Sequence, residues 1–134
     1  MTEYNEILLR LIFAVVAGGL IGLEREIVHR PAGVRTHMLV CLGSCLFVLV
    51  TLETVPHEVA RIIAGIATGI GFLGAGTIFR SKSEVHGLTT AASVWAVAGV
   101  GIAIGLGYYL MMLIAVILIL IILQLNKFEF FKNL

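Results

Sequence analysis

The sequence predicts an all-α fold, a polytopic transmembrane bundle of about five helical spans. Three observations predict it. Of the 134 residues, 60% are apolar and 13% charged, whereas soluble domains carry about 25% charge. Mean hydropathy is +1.09. Apolar runs of roughly 20 residues, the length that crosses the hydrocarbon, recur between short polar connections. A water-soluble fold of this size would have more apolar surface than its interior can hide.

The spans fall near residues 7–23, 34–52, 59–79, 88–106 and 108–125. The first follows Glu3, Glu6 and Arg10 and shows no small-residue cleavage site before Glu24. It is therefore expected to remain as a span rather than be removed as a signal. Charged segments separate the first four spans. Only Gly105-Leu106-Gly107-Tyr108-Tyr109 separates the fourth from the fifth. Glycine at a helix end followed by paired aromatics reads as a tight interfacial turn, and a single helix of about 38 residues would overrun the bilayer. Residues 1–134 are expected to form one transmembrane domain with no soluble C-terminal domain.

Basic residues set the expected orientation. Arg25, Arg30 and Arg35 flank the first connection, Arg80 and Lys82 the third, and Lys127 and Lys132 the C-terminus, leaving only Arg10 and Arg61 opposite. The positive-inside rule then places the C-terminus and arginine-bearing loops in the cytoplasm and the N-terminus outside, in a multi-pass cell-membrane (inner-membrane) protein. Net charge is +1, with no polybasic tail of the kind that attracts nucleic acid.

The 15 glycines point to close helix contacts, because small residues let backbones approach where lipid offers no hydrophobic gain. Gly18 and Gly22, Gly65 and Gly69, and Gly101 and Gly105 are each four apart on one helix face. The densest set, Gly65, Gly69, Gly71, Gly74 and Gly76, predicts that span three is central; its glycines either wall a site or only pack. Span five, almost wholly Leu, Ile, Val and Met, suits a lipid-facing or oligomer-facing helix. At an offset of 54 residues Gly22, Gly33, Val34 and Thr36 meet Gly76, Gly87, Leu88 and Thr90. This is either a parallel internal repeat of the transporter type or coincidence in an apolar chain.

Polar residues gather at the expected cytoplasmic end: Glu24, Arg25, Arg35, Thr36, His37, Arg80, Thr89, Thr90 and Ser93. Burying an ionised group in lipid costs several kcal/mol, so Glu24 and Glu26 are expected to pair with Arg25, Arg30 and Arg35. That cluster reads either as a structural clamp or as a binding site. Thr89 and Ser93, four apart, would share a face at the start of span four, where hydroxyls cap the helix or help hold an anion. His37, Cys41 and Cys45 form a stripe in span two, but one His and two Cys are an incomplete tetrahedral set. No metal or other cofactor is expected. No phosphate loop, zinc-protease helix or nucleophile elbow is present in the sequence. Acidic residues near mid-bilayer, which cation carriers use, are also missing, although a pore lined by backbone or hydroxyl groups stays open.

Gly19-Leu-Ile-Gly22-Leu-Glu24-Arg25-Glu26, Ala32-Gly33-Val-Arg35-Thr36-His37, Gly69-Ile-Gly71-Phe-Leu-Gly74-Ala-Gly76 and Gly87-Leu-Thr89-Thr90-Ala-Ala-Ser93 resemble the MgtC/SapB family of bacterial and archaeal membrane proteins. The resemblance runs from about Leu8 to Gly107. It implies about five spans with a cytoplasmic C-terminus. It also implies a regulatory role in low-magnesium or stress adaptation, through contact with membrane partners such as the F-type ATP synthase. The virulence branch has a soluble C-terminal domain, and Asn where this chain has Thr89. A chain ending at Leu134 is therefore expected to be nearer the transmembrane-only SapB type. The matching positions Glu24, Arg35, Arg80, Thr89 and Thr90 are the implied candidates for a site.

The expected function is a non-enzymatic membrane regulator in contact with lipid and membrane partners, forming a homo-oligomer. The alternative is an oligomeric channel or transporter for magnesium or another ion, since five short helices leave little room for a pore in one subunit.

Overall fold

In the computed structural model, which describes residues 2–128, five helices are long and apolar enough to cross a membrane. They are α1 (Tyr4–Ile27), α2 (Val34–Thr54), α3 (Val59–Ala75), α4 (Leu88–Gly105) and α5 (Tyr109–Gln124). One-turn 3-10 helices, Pro56–Glu58 and Leu125–Lys127, precede α3 and follow α5. Lys132, which contributes to the expected orientation, lies outside the described residues.

The α3–α4 connection is an antiparallel hairpin, β1 (Phe79–Ser81) with β2 (Glu84–His86), which pairs Arg80 with Val85 and Ser81 with Glu84. α3 thus stops at Ala75, and Phe79, expected inside span three, is strand. The connections after α1 and α3 lie at one end of the bundle, here called the arginine-rich end.

α4 is the central helix: it touches α1, α2, α3 and α5, and 56% of its span is buried against 11% for the span containing α3. This corrects the expectation that the glycine-dense third span is central. A Cβ added at Gly65, Gly69 or Gly71 would meet nothing within 4 Å, and only Gly74 lies against a neighbour, Ala91. The physical reason is that the glycine pairs of α1 and α4 already take the close contacts along one stripe of α2. A Cβ at Gly18 would lie 2.9 Å from Met38 Cα, and one at Gly22 2.7 Å from Val34 Cα. Further along α2, a Cβ at Gly105 would lie 2.8 Å from Val48 Cβ, and one at Gly101 2.9 Å from Ser44 Cβ. α1 and α4 therefore meet one stripe of α2 at successive levels and also touch each other, and Ala14, Ile21, Cys41, Cys45, Val48, Val97 and Ile104 fill the core the three helices share.

α4 ends in a left-handed turn. Tyr108 N–H donates to Ala103 O and Gly107 N–H to Ile104 O, with Gly107 at φ +82°, the reciprocal pairing that satisfies a helix's last carbonyls. Arg10 reaches this turn from α1. Its Nη1 donates to Gly105 O at 2.7 Å, its Nε to the Tyr109 hydroxyl at 3.3 Å, and its Nη2 to Glu6. Phe13 packs edge-on against Tyr109 at 5.6 Å.

Candidate functional site

At the arginine-rich end the last turns of α1 bury an ionic pair. Glu24 and Arg25 are 7% and 4% exposed, and Arg25 Nε donates to Glu24 Oε2 at 2.6 Å. Glu24 Oε1 is buried without a hydrogen-bond partner among the described residues. Two buried opposite charges depend on each other, because removing one strands the other in low dielectric. The pair borders a cleft of about 700 Å³ between the end of α1, the start of α4 and the end of α5. Thr89 and Thr90 line the same cleft, joined by Arg30, His86 and Lys127.

α4 enters this cleft without a side-chain cap. Gly87, at φ +85°, precedes it, and among the described residues no side chain caps its first turn. The free N–H groups of that turn give the cleft floor a partial positive charge.

A second, buried group crosses from α2 to α4. His37 is fully buried, with Nδ1 2.9 Å from Gly33 O and Nε2 2.9 Å from Ser93 Oγ. A carbonyl only accepts, so in the neutral ring the proton sits on Nδ1, and Nε2 accepts the Ser93 hydroxyl proton. Ser93 Oγ also stands 2.8 Å from Thr90 O, the alternative acceptor when Nε2 carries a proton. The buried hydroxyls of α4 are therefore those of Thr90 and Ser93, while Thr89, one turn before Ser93, is exposed.

The remaining residues separate. Arg35 and Thr36 line a shallow depression of about 370 Å³ with Glu26 and His29. Glu26 does not pair with an arginine there; its Oε2 accepts the Val34 N–H at 2.8 Å, a favourable place for a carboxylate at a helix start. Arg30 and Arg35 have no ion-pair partner among the described residues, correcting the expected network. Arg80 is exposed on β1 and lines neither space. Cys41 and Cys45 are free, buried thiols. Among the described residues no three His, Cys, Asp or Glu side chains are grouped to hold a metal. Arg30 lines the cleft as part of the expected cluster, whereas His86 and Lys127 join it without a local signal, because nothing in the nearby sequence brings β2 or the end of α5 to α1. Arg10 carried one signal, Glu6 four residues before it.

This order of motifs on five apolar helices has counterparts. The family model described as the MgtC family matches residues 11–129. The chain belongs to the MgtC family. It is 48% identical over 94 residues to Protein MgtC of Salmonella typhimurium (strain LT2), covering 70% of this chain and 41% of that protein. Over 105 residues it is 42% identical to a protein of Escherichia coli (strain K12) named "Putative magnesium transporter YhiD", covering 72% and 49%. An uncharacterized protein of Synechocystis is 48% identical over 101 residues, covering 74% and 43%. The chain thus spans less than half the length of these MgtC-family relatives. No solved structure matches it.

Proposed function

We propose that this MgtC-family chain is a non-enzymatic regulatory protein of the cell membrane, acting in adaptation to low magnesium or stress by helix contact with membrane partners. In this reading the arginine-rich end and the C-terminus face the cytoplasm, the N-terminus faces out, and copies of the chain associate. The F-type ATP synthase, implied by the family resemblance, is the partner to test first.

The observation that carries the reading is the open groove between α2 and α3. Gly43, Gly65 and Gly69 line this apolar space of about 480 Å³, together with Ile62, Ile66 and Phe47. Ser44 borders it, its buried hydroxyl without a hydrogen-bond partner among the described residues. A glycine-faced groove lets another helix approach to backbone distance, which is how helices associate in lipid.

The test is disulfide trapping of Ala64→Cys, exposed on α3, in native membranes, with detergent pull-down under magnesium limitation. Cross-linked dimer and a specific co-purifying membrane protein, both lost in Gly65→Leu/Gly69→Leu, are expected. Recovery of the monomer alone would end the reading.

The second reading, an oligomeric magnesium transporter, is favoured by the name of the Escherichia coli relative. Against a path through one subunit stand the backbone contacts at Gly18, Gly22, Gly101 and Gly105, which occupy the space a water column would need. Ion flux in liposomes decides it: magnesium conductance by purified protein would favour transport over regulation.

A further inference from the structure

We infer that the cleft between the end of α1, the start of α4 and the end of α5 binds a phosphate-bearing anion, and that the anion is the headgroup of an anionic membrane lipid. The inference rests only on the chain's place in a membrane, not on a regulatory role.

Three observations converge there. The first turn of α4 offers uncapped N–H groups, and an eighteen-residue helix gives its N-terminus the partial charge that favours anions. Arg25 lines the cleft, is 4% exposed and commits its Nε to Glu24; its two Nη groups have no hydrogen-bond partner among the described residues. A guanidinium held this way presents a pre-set fork to phosphate oxygens. Thr90, 1% exposed, adds a hydroxyl to the same wall.

Charge agrees. Arg25, Arg30 and Lys127 face one carboxylate, Glu24, whose Oε2 is bound to Arg25 and whose Oε1 is buried. His86 also lines the cleft, with Nε2 3.7 Å from Glu84. The excess is positive, and no acidic cluster of the kind a divalent cation requires is present among the described residues.

The lipid source follows from the other wall. Ile122 and Leu123 of α5 line the cleft below the cations, and α5 is exposed along most of its length. A headgroup in the cleft would lay its acyl chains along that helix. Basic pockets at helix ends are where anionic headgroups bind.

The test uses the full chain in nanodiscs of phosphatidylcholine with and without phosphatidylglycerol, reading retained lipid by native mass spectrometry and the thermal midpoint. Thr89→Asp is the decisive variant. Thr89 is exposed at the start of α4, where a carboxylate suits the helix dipole, so folding is kept while the anion is repelled. Arg30→Gln/Lys127→Gln is a second, exposed pair. Phosphatidylglycerol should be retained in preference to phosphatidylcholine and raise the midpoint. Each variant should lower that retention at least about tenfold. Displacement of the lipid by millimolar inorganic phosphate would support the anion site but assign it to a soluble phosphate. Equal retention of both lipids with no midpoint shift from phosphate, or variants that retain lipid like the parent, would overturn the site.

Discussion

The α1–α2 and α3–α4 units start their second helices 54 positions apart, at Val34 and Leu88, each directly after a glycine, yet they are closed differently. α1 continues to Ile27 and lies backbone to backbone on α2 through Gly18 and Gly22. α3 stops at Ala75, and the stretch 54 residues beyond the end of α1 is a hairpin instead. The charged pair Glu24–Arg25 thus has Ile78 and Phe79 as its counterparts. Glycine spacing is similar in the two units; what differs is whether a flat partner lies opposite. Among the described residues the first unit buries an ionic pair, while in the second the four-apart glycines of α3, Gly65 and Gly69, meet no neighbour.

At Gly22 the first unit has no room for an added side chain. A Cβ there stands 2.7 Å from Val34 Cα and 2.8 Å from Gly33 O, backbone atoms that no rotamer change can move. Gly22→Leu is expected to destabilise by about 3 kcal/mol or more, since overpacking a closed contact forces backbone shifts. Unfolding in mixed micelles measures it. A normally folded Gly22→Leu would mean that the two units are not closed differently after all.

Five spans were legible because lipid imposes length and apolarity on each helix separately, and each hydropathy run reports its own helix. The central position of α4 was not legible. A glycine pair at i, i+4 fixes which face is smooth, but what lies across from that face is a property of another segment. The same limit divided the candidate site. Glu24, Arg25, Thr89 and Thr90 come together because two helix ends meet. Arg35 and Arg80 stay apart because the first lines a separate depression at the start of α2 and the second is carried off on a hairpin. His37 was legible as a helix residue on a Cys stripe, while its partner Ser93 is 56 positions away.

Next in size is Gly87→Ala at the second junction. Gly87 has φ +85°, and a Cβ would collide with the Thr77 carbonyl. A left-handed non-glycine costs about 1–3 kcal/mol, so the variant should unfold at a lower denaturant concentration. Unlike Gly22→Leu, it should leave the α1–α2 contact intact. Disulfide trapping between Gly19→Cys and Met38→Cys would check this; these positions face each other across α1 and α2. Below it comes Ser93→Ala, which removes the partner of His37 Nε2. In the neutral ring that leaves one buried acceptor unpaired, at about 1–2 kcal/mol. Ser93→Thr, which keeps a hydroxyl, should recover part of the loss.

The smallest effect on folding is expected where the second unit differs most from the first. Gly65 has nothing within 4 Å of an added Cβ, so Gly65→Ala meets no clash. Alanine is favoured over glycine inside a helix by about 0.5–1 kcal/mol. The variant should therefore be slightly more stable as a monomer, the opposite sign to Gly22→Leu from a residue in the same four-apart pattern. Self-association, measured by dilution in detergent, should weaken in Gly65→Ala while folding improves, because the methyl group holds an incoming backbone away. If stability fell instead, the groove would already be filled by a neighbouring helix in solution. Loss of stability that scaled with protein concentration would identify that neighbour as a second copy of the chain.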